Sequence, residues 1–198
     1  MRAVLWQDFE TGGLDVLTHS PLSFAMMATR GDEILGEWEC QIRQEPLIVT
    51  QEALKLTKID LCEDGLSFDL FKKNYFHRVN DWFYGGSQNG SVYPKIKPSK
   101  DNMPYYGGQN TFFDRPWLHR ILGSTYDGCY YHRRDLMVVA DIMREAGLLK
   151  CDDVKLASIA AALGVEPEGD FHSALTDVKV TFKCFQKIRG LIMGLANE

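Results

Sequence analysis

The chain has 198 residues, 45% apolar and 25% charged, a size and balance suited to one domain spanning residues 1–198 around a substantial core. With 27 acidic against 22 basic side chains the net charge is −5, which excludes a protein-wide positive field, so any phosphate binding must be local. No apolar run approaches the roughly 20 residues of a membrane span. The apolar stretch before Asp8 is too short for the h-region of a secretory signal, so the expectation is a cytoplasmic protein with no membrane association. The cysteines Cys40, Cys62, Cys129, Cys151 and Cys184 are odd in number and never spaced C-x-x-C, and they are expected to be buried free thiols rather than a disulfide framework or a zinc site.

In chain order, Ala3 to Glu10 reads as a short strand that runs into the turn signal Thr11-Gly12-Gly13. Strands are expected over Leu22 to Thr29 and Ile34 to Ile42, joined through Gly31, which makes an antiparallel meander. Thr50 is a candidate N-cap for a helix over Gln51 to Leu56. Phe68, Phe71, Tyr75, Val79 and Trp82 then recur at helical spacing. Gly85 to Met103 lacks a sustained period and reads as a long loop, in which Ser87, Tyr93, Lys95, Lys97 and Lys100 offer hydroxyl, aromatic and basic groups. After it come a strand over Tyr105 to Asn110 and helices over Pro116 to Leu122, Asp135 to Ala146 and Leu156 to Leu163. A last helix over Ser173 to Leu195 carries Leu175, Val178, Phe182, Phe185, Ile188 and Ile192 on an apolar stripe. Strands first, then helices among short strands, imply a mixed sheet covered by helices, an α/β arrangement.

Asp8 and Glu10, two apart on a strand, project from one side of the sheet, and like charges so placed suit divalent cations held by hard oxygen ligands, although an Asp-x-Glu pair at a strand end is often just solvated surface. Each remaining candidate has an ordinary structural explanation. Asp114, before Arg115-Pro116, reads as an N-cap. Asp177, a turn into the last helix, complements the helix dipole. His172, on the entry loop, could be merely exposed, although an imidazole can accept a proton at neutral pH.

The stretches Asp8-Phe9-Glu10-Thr11-Gly12-Gly13-Leu14, Gly108 to Asp114 with Leu118, and His172-Ser173-Ala174-Leu175-Thr176-Asp177 occur in that order. They resemble the three exonuclease motifs of the DEDDh (DnaQ-like) family, the last being H-x-x-x-x-D. Glu52 to Ile59 and Arg134-Asp135-Leu136 are similar to its connecting segments, so the likeness runs from about Val4 to Phe185. Gln109 stands where many relatives have histidine, and the 85–103 stretch is longer than compact members need.

The resemblance implies an RNase H-like fold, a mixed five-stranded sheet with an antiparallel meander followed by parallel strands, flanked by helices. It also implies a 3'-to-5' exonuclease that uses two divalent ions, Mg2+ or Mn2+, and releases nucleoside 5'-monophosphates. Asp8 would bridge the ions, Glu10 and Asp177 would hold the water-activating one, Asp114 would support the other, and His172 would be the general base. Thr11, Gly12, Leu14 and Asn110 would bind the 3'-terminal nucleotide, and Arg115, Arg120, Arg133 and Arg134 are candidate phosphate donors. The implied partners are single-stranded DNA or RNA 3' ends, with DNA favoured, and a homodimer stays open. Two alternatives also stay open: a non-catalytic nucleic-acid-binding module of the same fold, and an RNase H-like endonuclease that would need no His172.

Overall fold

The computed structural model describes residues 2–57, 65–86 and 96–195. Five strands, β1 (Ala3–Thr11), β2 (Pro21–Arg30), β3 (Glu33–Gln41), β4 (Tyr105–Gly108) and β5 (Tyr130–Asp135), form one mixed sheet in the order β3-β2-β1-β4-β5. β1, β2 and β3 pair antiparallel, whereas β1 with β4 and β4 with β5 pair parallel. Among the described residues six helices accompany them: α1 (Gln51–Thr57), α2 (Phe68–Phe83), α3 (Thr111–Leu122), α4 (Leu136–Glu145), α5 (Leu156–Leu163) and α6 (Ala174–Leu195).

Alternation along β1 divides its side chains between two cores. Ala3, Leu5 and Phe9 point to the face covered by α2 and α3, against Phe71, Tyr75, Val79, Trp117, Leu118 and Ile121. Val4 and Trp6 point to the other face, where Ala25 and Met27 of β2 meet Ala174, Val178 and Phe182 of α6. Trp6 also packs its ring against Phe182 and Phe185, with centroids 5.7 and 5.2 Å away, and its indole N–H donates to Thr29 Oγ1 at 2.9 Å. Asp8 and Glu10 continue this second row, so the strand delivers both carboxylates to the face that α6 covers. A second stripe of α6, Val180, Cys184 and Ile188, packs on α4 and α5 through Leu136, Ala140, Met143 and Ile159.

The caps explain where several helices begin. Thr50 Oγ1 accepts from Ala53 N at 3.1 Å, as expected for α1, and Ser67 Oγ accepts from Leu70 N to start α2. Four points differ from expectation. α3 starts at Thr111, five residues before Pro116, because its capping group comes from another strand; β4 therefore ends at Gly108 instead of reaching Asn110. β5 was not expected from pattern, since Tyr-Tyr-His-Arg-Arg-Asp has no apolar alternation and is mostly exposed. Ile192, assigned to the apolar stripe of the last helix, is 48% exposed.

Of the 85–103 loop, residues 85–86 and 96–103 lie outside helices and strands. Ser87, Tyr93 and Lys95, like Cys62, Lys58 and Ile59, fall outside the described residues, while Lys97 and Lys100 are exposed. The other four cysteines are unpaired; Cys129 and Cys184 are buried, and Cys40 and Cys151 are half-buried. Among the described residues no helix is long and apolar enough to cross a membrane.

Candidate active site

β1 and β4 pair in parallel only from Val4 to Trp6 against Tyr105 to Gly107. Beyond that register the chain leaves β4 for α3, and the gap at the carboxyl ends of the two strands is where open α/β sheets place their ligands. Asp114, 3% exposed, lies inside the first part of α3, and its Oδ1 accepts from Phe9 N at 3.2 Å. Its carboxylate thus replaces the missing β4 partner beside β1. This corrects the capping expectation for Asp114.

The cap of α3 is unusual. Asn110 occupies the N-cap position in the left-handed region, with φ 58°, and its side chain makes no capping bond. Asp135, at the end of β5, supplies the acceptors: Oδ1 takes Asn110 N at 3.2 Å, and Oδ2 takes Thr111 N at 2.7 Å and Thr111 Oγ1 at 2.8 Å. The same carboxylate caps α4 through Met137 N. One side chain therefore ties two helix starts to the sheet, sets the position of Asp114, and leaves the Asn110 amide unused by its own helix.

From the opposite side, α6 brings Asp177 in its first turn, and the preceding loop brings His172. His172 has φ 67°, and its backbone N–H donates to Asp177 Oδ2 at 3.4 Å. Asn110 and His172 are the two non-glycine residues with positive φ among the described residues. Both stand at this centre, where backbone strain is commonly held by a well-packed surround.

Glu10, His172 and Asp177 offer ligand atoms that all lie within 4.8 Å of one another. Asp8 and Asp114 join them electrostatically. Burial, then Asp114, Asp177 and Glu10, push the Asp8 carboxyl well above its ordinary range. Burial raises Asp114 likewise, against the bond from Phe9 N. Glu10 is pushed up to about 7 by burial and by Asp177, and Asp177 to about 6 by burial. Four carboxylates that resist ionisation together favour divalent cations bound through oxygen. A further sign is that Asp177 Oδ1 is buried with no hydrogen-bond partner among the described residues, an acceptor whose desolvation a metal ion would repay. The donor set fits hard cations.

The residues expected to hold a terminal nucleotide lie at the exit of β1. Thr11 is buried, and its hydroxyl donates to Gly13 O at 2.8 Å. Gly12 bonds Ser20 O through its N–H and accepts from Thr50 N, each at 2.7 Å. A Cβ on Gly12 would meet Ile48 O at 2.6 Å, so the close approach that requires glycine there is to the chain's own backbone. Leu14 projects into solvent, 86% exposed.

Two of the expected phosphate donors are committed to the fold. Arg115 Nε donates to the buried Asp127 at 2.7 Å. Arg120 donates to Val16 O and His19 O at 2.6 Å each and to Gln44 Oε1 at 2.9 Å, which pins the loop after β1. Arg133 and Arg134 are exposed. Gln109, the departure from histidine, donates to Val154 O at 2.7 Å and so ties the α3 entry to the segment before α5.

Solved structures were found with the same architecture. Exonuclease I of E. coli in complex with a dT13 oligonucleotide superposes with a TM-score of 0.71 at 19% identity, covering 100% of this chain and 43% of that one. The fold is that of exonuclease I. Its zinc-bound complex with single-stranded DNA gives a TM-score of 0.70 at 19% identity, with 100% and 43% covered. Exonuclease I from Methylocaldum szegediense gives 0.68 at 19% identity, with 96% of this chain and 41% of that one covered. The chain thus spans less than half the length of the exonuclease I chains it matches. No protein-family model matches the sequence, and no curated protein does.

Proposed function

We propose that residues 1–198 form a single 3'-to-5' exonuclease domain that removes nucleoside 5'-monophosphates from single-stranded nucleic acid, DNA in preference to RNA. The observation that carries this reading is the convergence of Glu10, His172 and Asp177 within 4.8 Å beside the half-buried Asp8 and the buried Asp114, on the fold of exonuclease I. The exonuclease I structures bound to oligonucleotides and to zinc support a metal-dependent nuclease that takes single strands.

Asp8, Glu10, Asp114 and Asp177 would hold two divalent ions, Mg2+ or Mn2+. When bound, such ions supply an activated water and stabilise the charge on the phosphodiester and its leaving oxygen. The protein supplies the remaining steps. His172 accepts the proton of the attacking water, and its backbone bond to Asp177 keeps the imidazole beside the carboxylates. We assign it to the proton rather than to a metal ion because four carboxylates already provide hard oxygen donors. Asp135 holds the α3 entry so that Asp114 and Phe9 N stay paired as the substrate enters. Leu14, exposed at the β1 exit, would wedge against terminal bases, and the Asn110 amide and the Thr11-Gly12 backbone would line the pocket.

Paired substitutions test the assignment. His172→Ala and Asp8→Ala should each reduce hydrolysis of a single-stranded oligonucleotide by at least 100-fold, in line with the loss of a general base or a metal ligand, while circular dichroism stays that of wild type. Full activity in both folded variants would refute it. Retained activity in His172→Ala with loss in Asp8→Ala would favour an endonuclease of the same sheet type, and an inactive wild type would favour a binding module.

A further inference from the structure

β5 bears a strip of aromatic and basic side chains that the proposed chemistry leaves unused. Its register against β4 breaks between Tyr105, which pairs with Tyr130, and Tyr106, which pairs with Arg133. The irregularity inserts Tyr131 and His132 and re-aims them, as bulges do. Tyr131 is 67% exposed, and His132 and Arg134 are exposed with it. The rings of Tyr105 and Tyr130 stack with centroids 6.1 Å apart, and His132 lies 5.4 and 5.0 Å from them. Arg134 lies 4.8 Å over the Tyr105 ring, and Arg2 lies 5.1 Å over both Tyr105 and Tyr130. A cavity of about 310 Å3 between the sheet and α6 is bordered by Arg2 and Arg134.

This strip shares the sheet face of the carboxylates. Tyr105 packs with Val4 and Trp6, the row that continues to Asp8 and Glu10, and a Cβ on Gly107, the partner of Arg134, would meet Trp6 and Val4. At ~3.3 Å per residue along a strand and ~4.8 Å between strands, the strip begins and ends roughly 12 to 16 Å from Asp8. Its charge is not cancelled by its neighbours in sequence. Residues 128–134 contain no acid. Asp127 on one side is spent on Arg115, His119 and Cys129 N. Asp135 on the other side is spent on the two helix starts. In a chain of net charge −5, a run of rings followed by guanidinium groups on one exposed strand matches the stacked bases and phosphates of a single strand.

We infer that β5 is a remote grip for single-stranded nucleic acid, with Tyr105, Tyr130, Tyr131 and His132 stacking bases and Arg134 contacting phosphate, while Arg2, tied to Met103 O and Lys100 O, braces the rings. The inference rests on the exonuclease reading for the strand's direction and deepens it, but the grip can be tested without turnover. Fluorescence anisotropy of a labelled oligothymidylate of roughly 12 nucleotides, within the span of known single-strand sites, is measured in EDTA across a salt series. The variants are Tyr131→Ala, His132→Ala and Arg134→Ala, with Lys150→Ala as the control that removes a positive charge from another exposed segment. Tyr131→Ala and His132→Ala should each weaken binding about tenfold, the loss of one stacked base. Arg134→Ala should also lower the slope of log affinity against log salt by roughly one. Lys150→Ala should change neither.

Where the wild type cleaves, the loss should fall on KM for the long oligonucleotide rather than on kcat. Unchanged affinity in the β5 variants, equal weakening in the control, or no binding by wild type would overturn the grip. Variant-sensitive binding by a protein that cleaves nothing would uphold the grip and refute the exonuclease.

Discussion

Glu10→Gln separates the stability of this centre from its proposed chemistry. The carboxyl is 8% exposed and is pushed from an ordinary 4.5 up to about 7 by burial and by Asp177. A raised carboxylate pKa means that the folded state holds a proton the unfolded chain has released between about pH 4.5 and 7. Stability is therefore complete below that window and falls as pH rises through it. At ~1.4 kcal/mol for each tenfold change, keeping Glu10 ionised in the metal-free fold costs about 3 kcal/mol by pH 8. Glutamine has the same shape without the charge, so Glu10→Gln should stabilise the metal-free protein by about this amount at pH 8 and by almost nothing at pH 4.5. For a chain of this size that is a rise in Tm of roughly 6 to 12 °C. Differential scanning calorimetry in EDTA at several pH values measures it, beside an activity assay in Mg2+ in which the variant should fail. Equal Tm gains at pH 4.5 and pH 8, or none at either, would refute the electrostatic account of the site.

Other outcomes follow from the same geometry. Mg2+ or Mn2+ should raise the Tm of wild type more at pH 8 than at pH 5, because protonated Glu10 and Asp177, with pKa values about 7 and about 6, compete with the ion at the lower pH; thermal melts at matched ionic strength check it. Asp135→Ala removes the acceptor of four bonds at two helix starts, so urea unfolding should show a loss of about 2 to 4 kcal/mol. Asp135→Asn should recover part of it. Trp6→Ala empties the packing between β1 and α6 and strands Thr29 Oγ1, which should cost about 3 to 5 kcal/mol by the same measurement.

Much of this was legible in the sequence because its signals are local. Alternation along Ala3 to Glu10 and the turn at Gly31 suffice to read the meander, and the i, i+4 spacing of Phe71, Tyr75 and Val79 reads α2. Asp8 and Glu10 on one face follow from strand geometry alone. The start of α3 was not legible, since its cap is Asp135, 24 residues beyond Thr111 in sequence, while Pro116 looked like a first-turn residue. The proline stands early in the helix, where the carbonyl it leaves without a donor belongs to Phe112, a residue that is 78% exposed. β5 escaped notice because an edge strand that buries little carries no apolar period. Likewise, Arg115 and Arg120 read as free cations, and only the tertiary structure shows their partners. The grouping of the five site residues was readable only through motif order, because strand exit, helix interior and helix entry loop converge through folding.

The most direct measurement incubates 5'-labelled single- and double-stranded DNA and RNA with the purified protein in Mg2+, Mn2+ or EDTA and resolves the products at single-nucleotide steps. The account predicts a ladder that shortens one nucleotide at a time from the 3' end of single strands, with DNA degraded faster than RNA and no degradation in EDTA. Internal cuts, or a ladder that persists in EDTA, would contradict it.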